Sequence, residues 1–164
     1  MHENSLVLME SLLREHALPS ARKSVVDVGS QDINGTYRPL VESMGFASYT
    51  GVDIQDAENV DIVVPEDGPW PDIAGDVVIS GQCVEHTRHP WEWIRHVSRT
   101  ASPDGIVIVI APWIWQIHRF PLDCWRILPD GMRALLEWGN LNVLDVGISD
   151  NDCWGIAGKE PSRT

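Results

Sequence analysis

Two features in the first third of the chain have the residue types and the spacing to hold a nucleotide-type cofactor. The apolar stretch 24–28 leads into a turn, 29–35, that begins and ends with glycine and lets the backbone approach a ligand closely. A second apolar stretch, 49–52, leads to Asp53, which lies 24 residues after Gly29. In doubly wound α/β folds, an acid about 20 residues beyond such a turn accepts hydrogen bonds from the ribose hydroxyls. The pattern therefore predicts a ribose-binding carboxylate at position 53.

A second group of chemically active residues lies in the segment 118–126, where His, Arg, Asp and Trp occur close together. The segment has neither a helical nor a strand pattern, and such loops at the carboxyl edge of a sheet commonly carry function. Two interpretations remain open. In one, His118 or Asp123 acts as a base in an acceptor site. In the other, Asp123 and Arg126 form an ion pair that fixes the loop.

Short apolar stretches alternate with helical patterns along the chain, and these elements must position the residues above. Because alternation of this kind is typical of parallel sheets covered by helices, we predict an α/β fold with a doubly wound, mostly parallel sheet of seven strands. The connection 149–152 is too short for a parallel crossover, so the last two strands must form an antiparallel hairpin. The predicted strands are 24–28, 49–53, 60–64, 76–80, 106–110, 142–148 and 153–158, and the predicted helices are 5–16, 39–44, 90–99 and 130–138.

Length and composition indicate one domain over residues 1–164, with an N-terminal helix within 1–20 and a core over 24–158. The net charge of −12, with only two lysines, argues against binding to nucleic acid, because the phosphate backbone would be repelled. No apolar run is long enough for a transmembrane helix, and the N-terminus lacks the basic region of a secretory signal. Three cysteines without disulfide or zinc spacing favour a cytoplasmic protein with no metal site.

Tryptophan is unusually frequent, with eight residues in the chain, five of them between Trp91 and Trp125. Burial in the core accounts for most aromatic residues of this size, and it is the first expectation here. The alternative is an aromatic wall around a substrate pocket. Tryptophans near 113–125 would also suit the contact of a homodimer.

The order and spacing of these segments resemble the class I S-adenosylmethionine-dependent methyltransferases over residues 24–158. Val25–Gly29 resembles the first motif of that family, and 49–53 resembles the motif with the ribose-binding acid. The segments 60–64, 76–86 and 103–109 resemble its third, fourth and fifth strands, and its sheet also ends in an antiparallel hairpin. Two departures stand out: Gln31 and Ile33 replace glycines of the usual turn, and Pro65 replaces an acid that often meets the adenine amine.

The resemblance implies S-adenosyl-L-methionine as the cofactor and assigns it a set of contacts. Asp53 would hold the ribose, and Ile54 would either cover the adenine or belong to the core. Gln82 would lie near the sulfonium, and the pair Glu85 and His86 would shape the pocket floor. His118 and Asp123 lie in an "HxxPxDxxR" pattern that recurs in a subgroup of the family. The implied cofactor-binding residues are Asp27, Gly29, Ser30, Asn34, Gly35, Tyr37, Asp53, Ile54 and Gln82.

The function that follows from the resemblance is methyl transfer to a small-molecule acceptor, without nucleic acid or membrane as a partner. A different class of function is a domain that binds S-adenosylmethionine or S-adenosylhomocysteine without catalysis and acts as a partner subunit or sensor. The altered glycine turn favours this alternative. A third is a nicotinamide-dependent reductase, against which the closing hairpin and the missing glycine triplet argue.

Overall fold

A computed structural model describes residues 3–160, and its centre is a sheet of seven strands. The strands are β1 (Ser24–Val28), β2 (Ser48–Asp53), β3 (Ile62–Val63), β4 (Gly75–Gly81), β5 (Ala101–Pro112), β6 (Asn142–Ser149) and β7 (Asp152–Gly158). Their order across the sheet is β3-β2-β1-β4-β5-β7-β6. Strands β1 to β5 are parallel, and β7 is antiparallel to both β5 and β6. The predicted fold class is thereby confirmed, including the closing hairpin.

Two strands differ from the prediction for local reasons. β3 is shorter because Asn59 adopts a left-handed conformation with φ of 70°, and the Asp61 carboxylate accepts a hydrogen bond from the Gly51 backbone N–H at 2.7 Å. A side chain therefore takes the place of a ladder bond at this edge. β5 begins earlier than predicted because the expected turn at 103–105 is absorbed as an irregularity in its pairing with β4, with Asp104 at φ of 63°.

Four α-helices cover the sheet at the predicted places. They are α1 (Glu3–Leu12), which continues as a π-helical turn (Leu13–Ala17), α2 (Arg38–Ser43), α3 (Pro90–Thr100) and α4 (Pro129–Trp138). Prolines stand in the first turn of α2, α3 and α4. Proline is tolerated there because the missing N–H would have no partner within the helix. The predicted limits of the domain, 1–164, include Met1, His2 and residues 161–164, which lie outside the described residues, and the limits stay a prediction.

The strands are apolar on both faces because helices pack on both sides of the sheet. Val25, Ile79 and Ile108 point to one side, where they pack with Met9 and Leu13 of the N-terminal helix. The alternate residues point to the other side, where the side chains of α3 and α4 complete a second core. The residues of this second core that come from β1, β4 and β5 are Val26, Val28, Val78, Ala101, Val107, Val109 and Ala111. No helix within residues 3–160 is long and apolar enough to cross a lipid bilayer.

The strand order reverses its direction between β1 and β4. From β1 the chain moves outward to β2 and β3, and then returns to place β4 on the other side of β1. The connections on either side of this switch point leave the sheet on opposite faces, so a crevice opens at the carboxyl ends of β1 and β4. Ligands of open α/β sheets bind at such crevices.

Candidate functional site

A cleft of about 590 Å³ occupies this crevice. Its volume falls in the range of about 300–1,000 Å³ that is usual for small-molecule and cofactor sites. Many of the predicted site residues line it, contributed by the turn after β1, the end of β2, the segment after β4 and the loop after β5. These residues are Gly29, Asn34, Gly35, Asp53, Ile54, Gln82 and His118.

The turn after β1 crosses the end of β2 and is held there by the backbone. The N–H groups of Gly29 and Ser30 both donate to the carbonyl oxygen of Val52, at 2.8 and 3.2 Å. Gly29 has a φ of 84°, and a Cβ atom at this position would lie 2.5 Å from Sγ of Cys83. Only glycine fits this backbone, because a side chain would be strained by the positive φ and would overlap the residue after β4.

Asp53 lies at the junction of this turn and the cleft. Its Oδ2 accepts a hydrogen bond from the backbone N–H of Gln31 at 3.1 Å, and its Oδ1 accepts one from Ile54 at 2.7 Å. These bonds fix the carboxylate at the carboxyl end of β2, facing the cleft. Each carboxylate oxygen has a second lone pair. Asp53 can therefore accept two further hydrogen bonds from a ligand without losing those that position it.

Gln82 forms part of the cleft floor and has a constrained backbone. Its φ is 57°, and its backbone N–H donates to the carbonyl of Ile110 at 2.9 Å, which ties the end of β4 to β5. Its Nε2 donates to Oδ1 of Asp152 at 2.8 Å, while its buried Oε1 has no hydrogen-bond partner among residues 3–160. A buried acceptor without a partner is rare, and this one belongs to a residue that lines the cleft.

A cluster of three titratable side chains lies at the other end of the cleft. The Glu85 side chain is fully buried, and its Oε1 lies 3.7 Å from Nε2 of His86 and 3.9 Å from Nε2 of His118. The two imidazole rings meet edge to face, with centroids 4.9 Å apart. Burial raises the pKa of Glu85 to about 8. His86 and His118 line the cleft, so this cluster presents basic nitrogens to whatever binds there.

Asp123 does not line the cleft, and its environment does not suit the predicted role of a base. Both of its carboxylate oxygens accept hydrogen bonds from the Arg126 guanidinium, and its Oδ2 also accepts one from the backbone N–H of His118 at 2.7 Å. These bonds hold the pKa of Asp123 well below its ordinary value. Its Oδ2 lies 3.4 Å from Nδ1 of His118. The alternative interpretation, an ion pair that fixes the loop, matches these contacts, and Asp123 orients His118.

No protein-family model matches this chain, and no curated protein does. Solved structures match at low identity. An S-adenosylmethionine-dependent methyltransferase from Aquifex aeolicus is 19% identical over 92% of this chain and 88% of its own, with a TM-score of 0.70. The 1,6-didemethyltoxoflavin-N1-methyltransferase of Burkholderia thailandensis, solved with 1,6-didemethyltoxoflavin and S-adenosylhomocysteine, is 12% identical over 96% and 79%, with a TM-score of 0.74. A Haloferax volcanii protein solved in complex with the Trm112 methyltransferase activator is 14% identical over 99% and 92%, with a TM-score of 0.72.

The chain has the fold of the class I S-adenosylmethionine-dependent methyltransferases. The structural neighbours confirm this part of the sequence resemblance. At identities this low, a likeness of folds does not by itself determine a reaction. The chemistry must be argued from the cleft.

Three predicted cofactor contacts, Asp27, Ser30 and Tyr37, do not line the cleft of this methyltransferase fold. Tyr37 is buried, and its hydroxyl is hydrogen-bonded to the Ser5 hydroxyl of α1 at 2.7 Å. The Ser30 hydroxyl donates to the Asn59 backbone carbonyl at 3.2 Å. These side chains are therefore not placed to contact a cofactor. They support the turn on the side away from the cleft.

Asp27 lies behind the turn as well, where it accepts a hydrogen bond from the Tyr49 hydroxyl at 2.5 Å. Burial raises the pKa of Asp27 to about 7, although the Tyr49 hydrogen bond opposes the rise; the negative charge of Asp53 adds to it. The unfolded chain releases this proton near pH 4, whereas the folded chain keeps it until about pH 7. Folding stability contributed by Asp27 must therefore fall as the pH rises through this interval.

We expect the free energy of unfolding of the wild type, relative to Asp27→Asn, to decrease by up to about 4 kcal/mol between pH 4 and pH 8. Urea unfolding of both proteins across this range measures the difference. Asp76→Asn is the matched control, because hydrogen bonds from Ser24 lower the pKa of Asp76, so this carboxyl is ionised in both states above pH 5. Its difference from the wild type should stay flat between pH 5 and pH 8, and a flat result for Asp27→Asn too would contradict the prediction.

Several cleft residues were not predicted from the sequence. Trp70 stacks on His96 with ring centroids 4.8 Å apart, and the tip of the loop after β5 closes the cleft opposite them. The high tryptophan content was the available signal, and the expected aromatic wall is partly present. The unpredicted residues that line the cleft include Trp70, Trp93, His96, Trp115, Arg119, Phe120 and Leu122.

Proposed function

We propose that this protein is an S-adenosylmethionine-dependent methyltransferase that acts on a small-molecule acceptor. The observation that carries the proposal is the Asp53 carboxylate, held by two backbone N–H groups at the carboxyl end of β2 and facing the cleft. An ionised carboxylate at this place is suited to the two hydroxyls of a ribose. The similar folds of known methyltransferases support the same proposal.

The cleft has room and polarity for the rest of the cofactor on both sides of Asp53. Ile54 and the segment 64–67 lie on the side where an adenine would be covered, and Glu66 and Asp67 offer acceptors in place of the acid that Pro65 replaces. On the other side, Gly29 lets the backbone approach the methionine portion. Gln82 lines the cleft, and its unpaired Oε1 would favour the positive charge of the sulfonium beside it.

The acceptor would lie between this sulfonium and the histidine cluster. S-adenosylmethionine is already a strong methyl donor, so the protein must align the acceptor atom with the methyl group and sulfur and exclude water. A base is needed when the acceptor carries a proton, as a hydroxyl or amine does. His118 faces the cleft and is oriented by Asp123, so its Nε2 can take that proton.

The size of the cleft favours a small acceptor. A cofactor and an acceptor would have to share about 590 Å³, which leaves no space for a folded macromolecule at the reacting end. The Burkholderia thailandensis neighbour was solved with a small heterocyclic substrate and S-adenosylhomocysteine together. A cytoplasmic location, the absence of nucleic acid as a partner and a homodimer remain predictions from the sequence.

Calorimetry with S-adenosylmethionine, S-adenosylhomocysteine and NAD tests the cofactor, and mass spectrometry of a panel of hydroxyl and amine acceptors tests the reaction. We expect the wild type to bind both adenosyl compounds and not NAD, and one acceptor to gain a methyl group. Binding of S-adenosylhomocysteine without turnover on the whole panel would favour a non-catalytic sensor or partner. Tight binding of NAD would contradict the proposal and favour a reductase.

A further inference from the structure

We propose that Glu85, His86 and His118 form a binding site for one divalent transition-metal ion, and that Zn²⁺ fits it best. One ligand atom from each residue lies within 4.8 Å of the others. Two imidazole nitrogens and one carboxylate are a known ligand set of catalytic zinc sites, in which a fourth position stays open for water or substrate. Mg²⁺ and Ca²⁺ prefer oxygen ligands, so two imidazoles argue against them. This metal site does not depend on methyl transfer.

The partners of the two rings determine where their protons lie. Nδ1 of His86 lies 2.5 Å from the carbonyl oxygen of Leu122, and Nδ1 of His118 lies 3.3 Å from the carbonyl oxygen of Gln116. A carbonyl oxygen can only accept a hydrogen bond. In each neutral ring the proton must therefore be on Nδ1. Each Nε2 then carries a bare lone pair and lies within 3.9 Å of the buried glutamate.

Three acceptor atoms thus converge, and the carboxyl proton of Glu85 is the one hydrogen atom that these three side chains could place between them. The Glu85 side chain is fully buried, and neither of its carboxylate oxygens has a hydrogen-bond partner among residues 3–160. Buried polar atoms without partners are rare and costly. Either a proton or a cation between these atoms would satisfy them. A proton satisfies one pair of these atoms, whereas a metal ion binds all three at once.

The distances are close to those of a zinc site. Metal–ligand bonds of 2.0–2.2 Å place tetrahedral ligand atoms about 3.3 Å apart. The carboxylate oxygen of Glu85 lies 3.7 and 3.9 Å from the two Nε2 atoms. All three ligand atoms lie within 4.8 Å of one another, so side-chain movements of about 1 Å would bring them to bonding positions.

The surroundings hold the three ligands as a metal site requires. The backbone N–H groups of Cys124 and Trp125 both donate to the carbonyl oxygen of Glu85, at 2.7 and 3.2 Å, so the loop that carries His118 is tied to the turn that carries the other two ligands. Hydrogen bonds from Nδ1 to carbonyl and carboxylate oxygens are the usual outer support of histidine ligands.

Because His86 and His118 line the cleft, the open position of the ion would face the acceptor. The consequence for catalysis rests on the proposed function. A hydroxyl of the acceptor bound to the ion would lose its proton to solvent water more readily, since a bound cation lowers the pKa of the oxygen it holds. The ion would then replace His118 Nε2 in activating the acceptor, and acceptors with an oxygen able to bind zinc would be preferred.

Calorimetric titration of the EDTA-treated protein with Zn²⁺ is expected to show one site per chain. Glu85→Gln and His118→Asn should each weaken Zn²⁺ binding at least tenfold, because each removes one of the three ligands. His16→Asn is the control, since it removes a histidine of the π-helical turn that does not line the cleft. His118 lies in a partly exposed loop, so its variant keeps the test valid should Glu85→Gln fail to fold.

Cobalt distinguishes the proposed ligands from the three cysteines, of which Cys83 also lines the cleft. The Co²⁺-loaded protein should show weak visible bands without the near-ultraviolet band of a thiolate ligand. A thiolate band, no saturable Zn²⁺ binding, or unchanged binding in both ligand variants would each overturn the metal site. Zn²⁺ binding without affinity for S-adenosylhomocysteine would support the metal site and contradict the proposed function. Affinity for S-adenosylhomocysteine without Zn²⁺ binding would support the proposed function and contradict the metal site.

Discussion

Asp53→Asn protein will bind S-adenosylhomocysteine about 10- to 150-fold more weakly than the wild type does. A hydrogen bond to a charged acceptor contributes about 1.5–3 kcal/mol, and the amide loses the charge that both ribose hydroxyls would use. The fold should survive, because the amide oxygen of asparagine can still accept the hydrogen bond from the Gln31 backbone N–H. Calorimetry on wild type and variant measures the ratio, and thermal unfolding checks the fold.

Asp56→Asn is the matched control for this experiment. Asp56 lies three residues further along the same connection, is exposed, and does not line the cleft. Its substitution removes the same charge from the same region, so any long-range electrostatic effect on the ligand is common to both variants. Equal affinities of the two variants would mean that Asp53 does not hold the ribose, and the cofactor site would have to be sought elsewhere.

Gly29→Ala will destabilise the protein by about 2–5 kcal/mol and will impair binding of S-adenosylhomocysteine. The positive φ of 84° costs a residue with a Cβ atom about 1–2 kcal/mol. The new Cβ would also lie 2.5 Å from Sγ and 2.6 Å from Cβ of Cys83, and relief of such an overlap costs about 1–3 kcal/mol more. Either the turn or the start of the segment after β4 must move, and both line the cleft. Urea unfolding and calorimetry measure the two effects.

Gly45→Ala separates the two contributions. Gly45 has nearly the same φ, 79°, but no heavy atom lies within 4 Å of the position that its Cβ would take. Its substitution should cost only the conformational part, about 1–2 kcal/mol, and should leave ligand binding unchanged. If the two alanine variants are equally stable, the close approach of Gly29 to Cys83 is not what requires glycine in the turn.

The fold could be predicted from the sequence where local patterns determine it. β1 lies at the predicted residues because an apolar run ends in a glycine turn, and the closing hairpin follows from a connection too short for a crossover. The shortening of β3 could not be predicted from the sequence. Its length depends on the Asp61 side chain and on the left-handed conformation of Asn59, both of which bond to strands and turns distant in sequence.

The candidate site was predicted in part, for a related reason. Asp53 could be placed because its position at a strand end follows from the strand pattern alone. Tyr37 could not, because its burial depends on α1, which covers that part of the molecule and supplies Ser5 as a partner. The cluster of Glu85, His86 and His118 has no recognisable spacing in the sequence, and it forms only when the loop after β5 folds back onto β4.

The loop after β5 is held by hydrogen bonds near its end at residues 124 and 125 and is exposed at its tip, residues 119 and 120. The two hydrogen bonds to the Glu85 carbonyl hold Cys124 and Trp125, while Arg119 and Phe120 reach the cleft from the exposed end. Substitutions at the tip would change the shape of this wall of the cleft, while Glu85 and His86, which lie outside the loop, would keep their places. Under the proposed function, related proteins could therefore come to bind different acceptors through a few substitutions near positions 119 and 120, while the cofactor site at Asp53 stays the same.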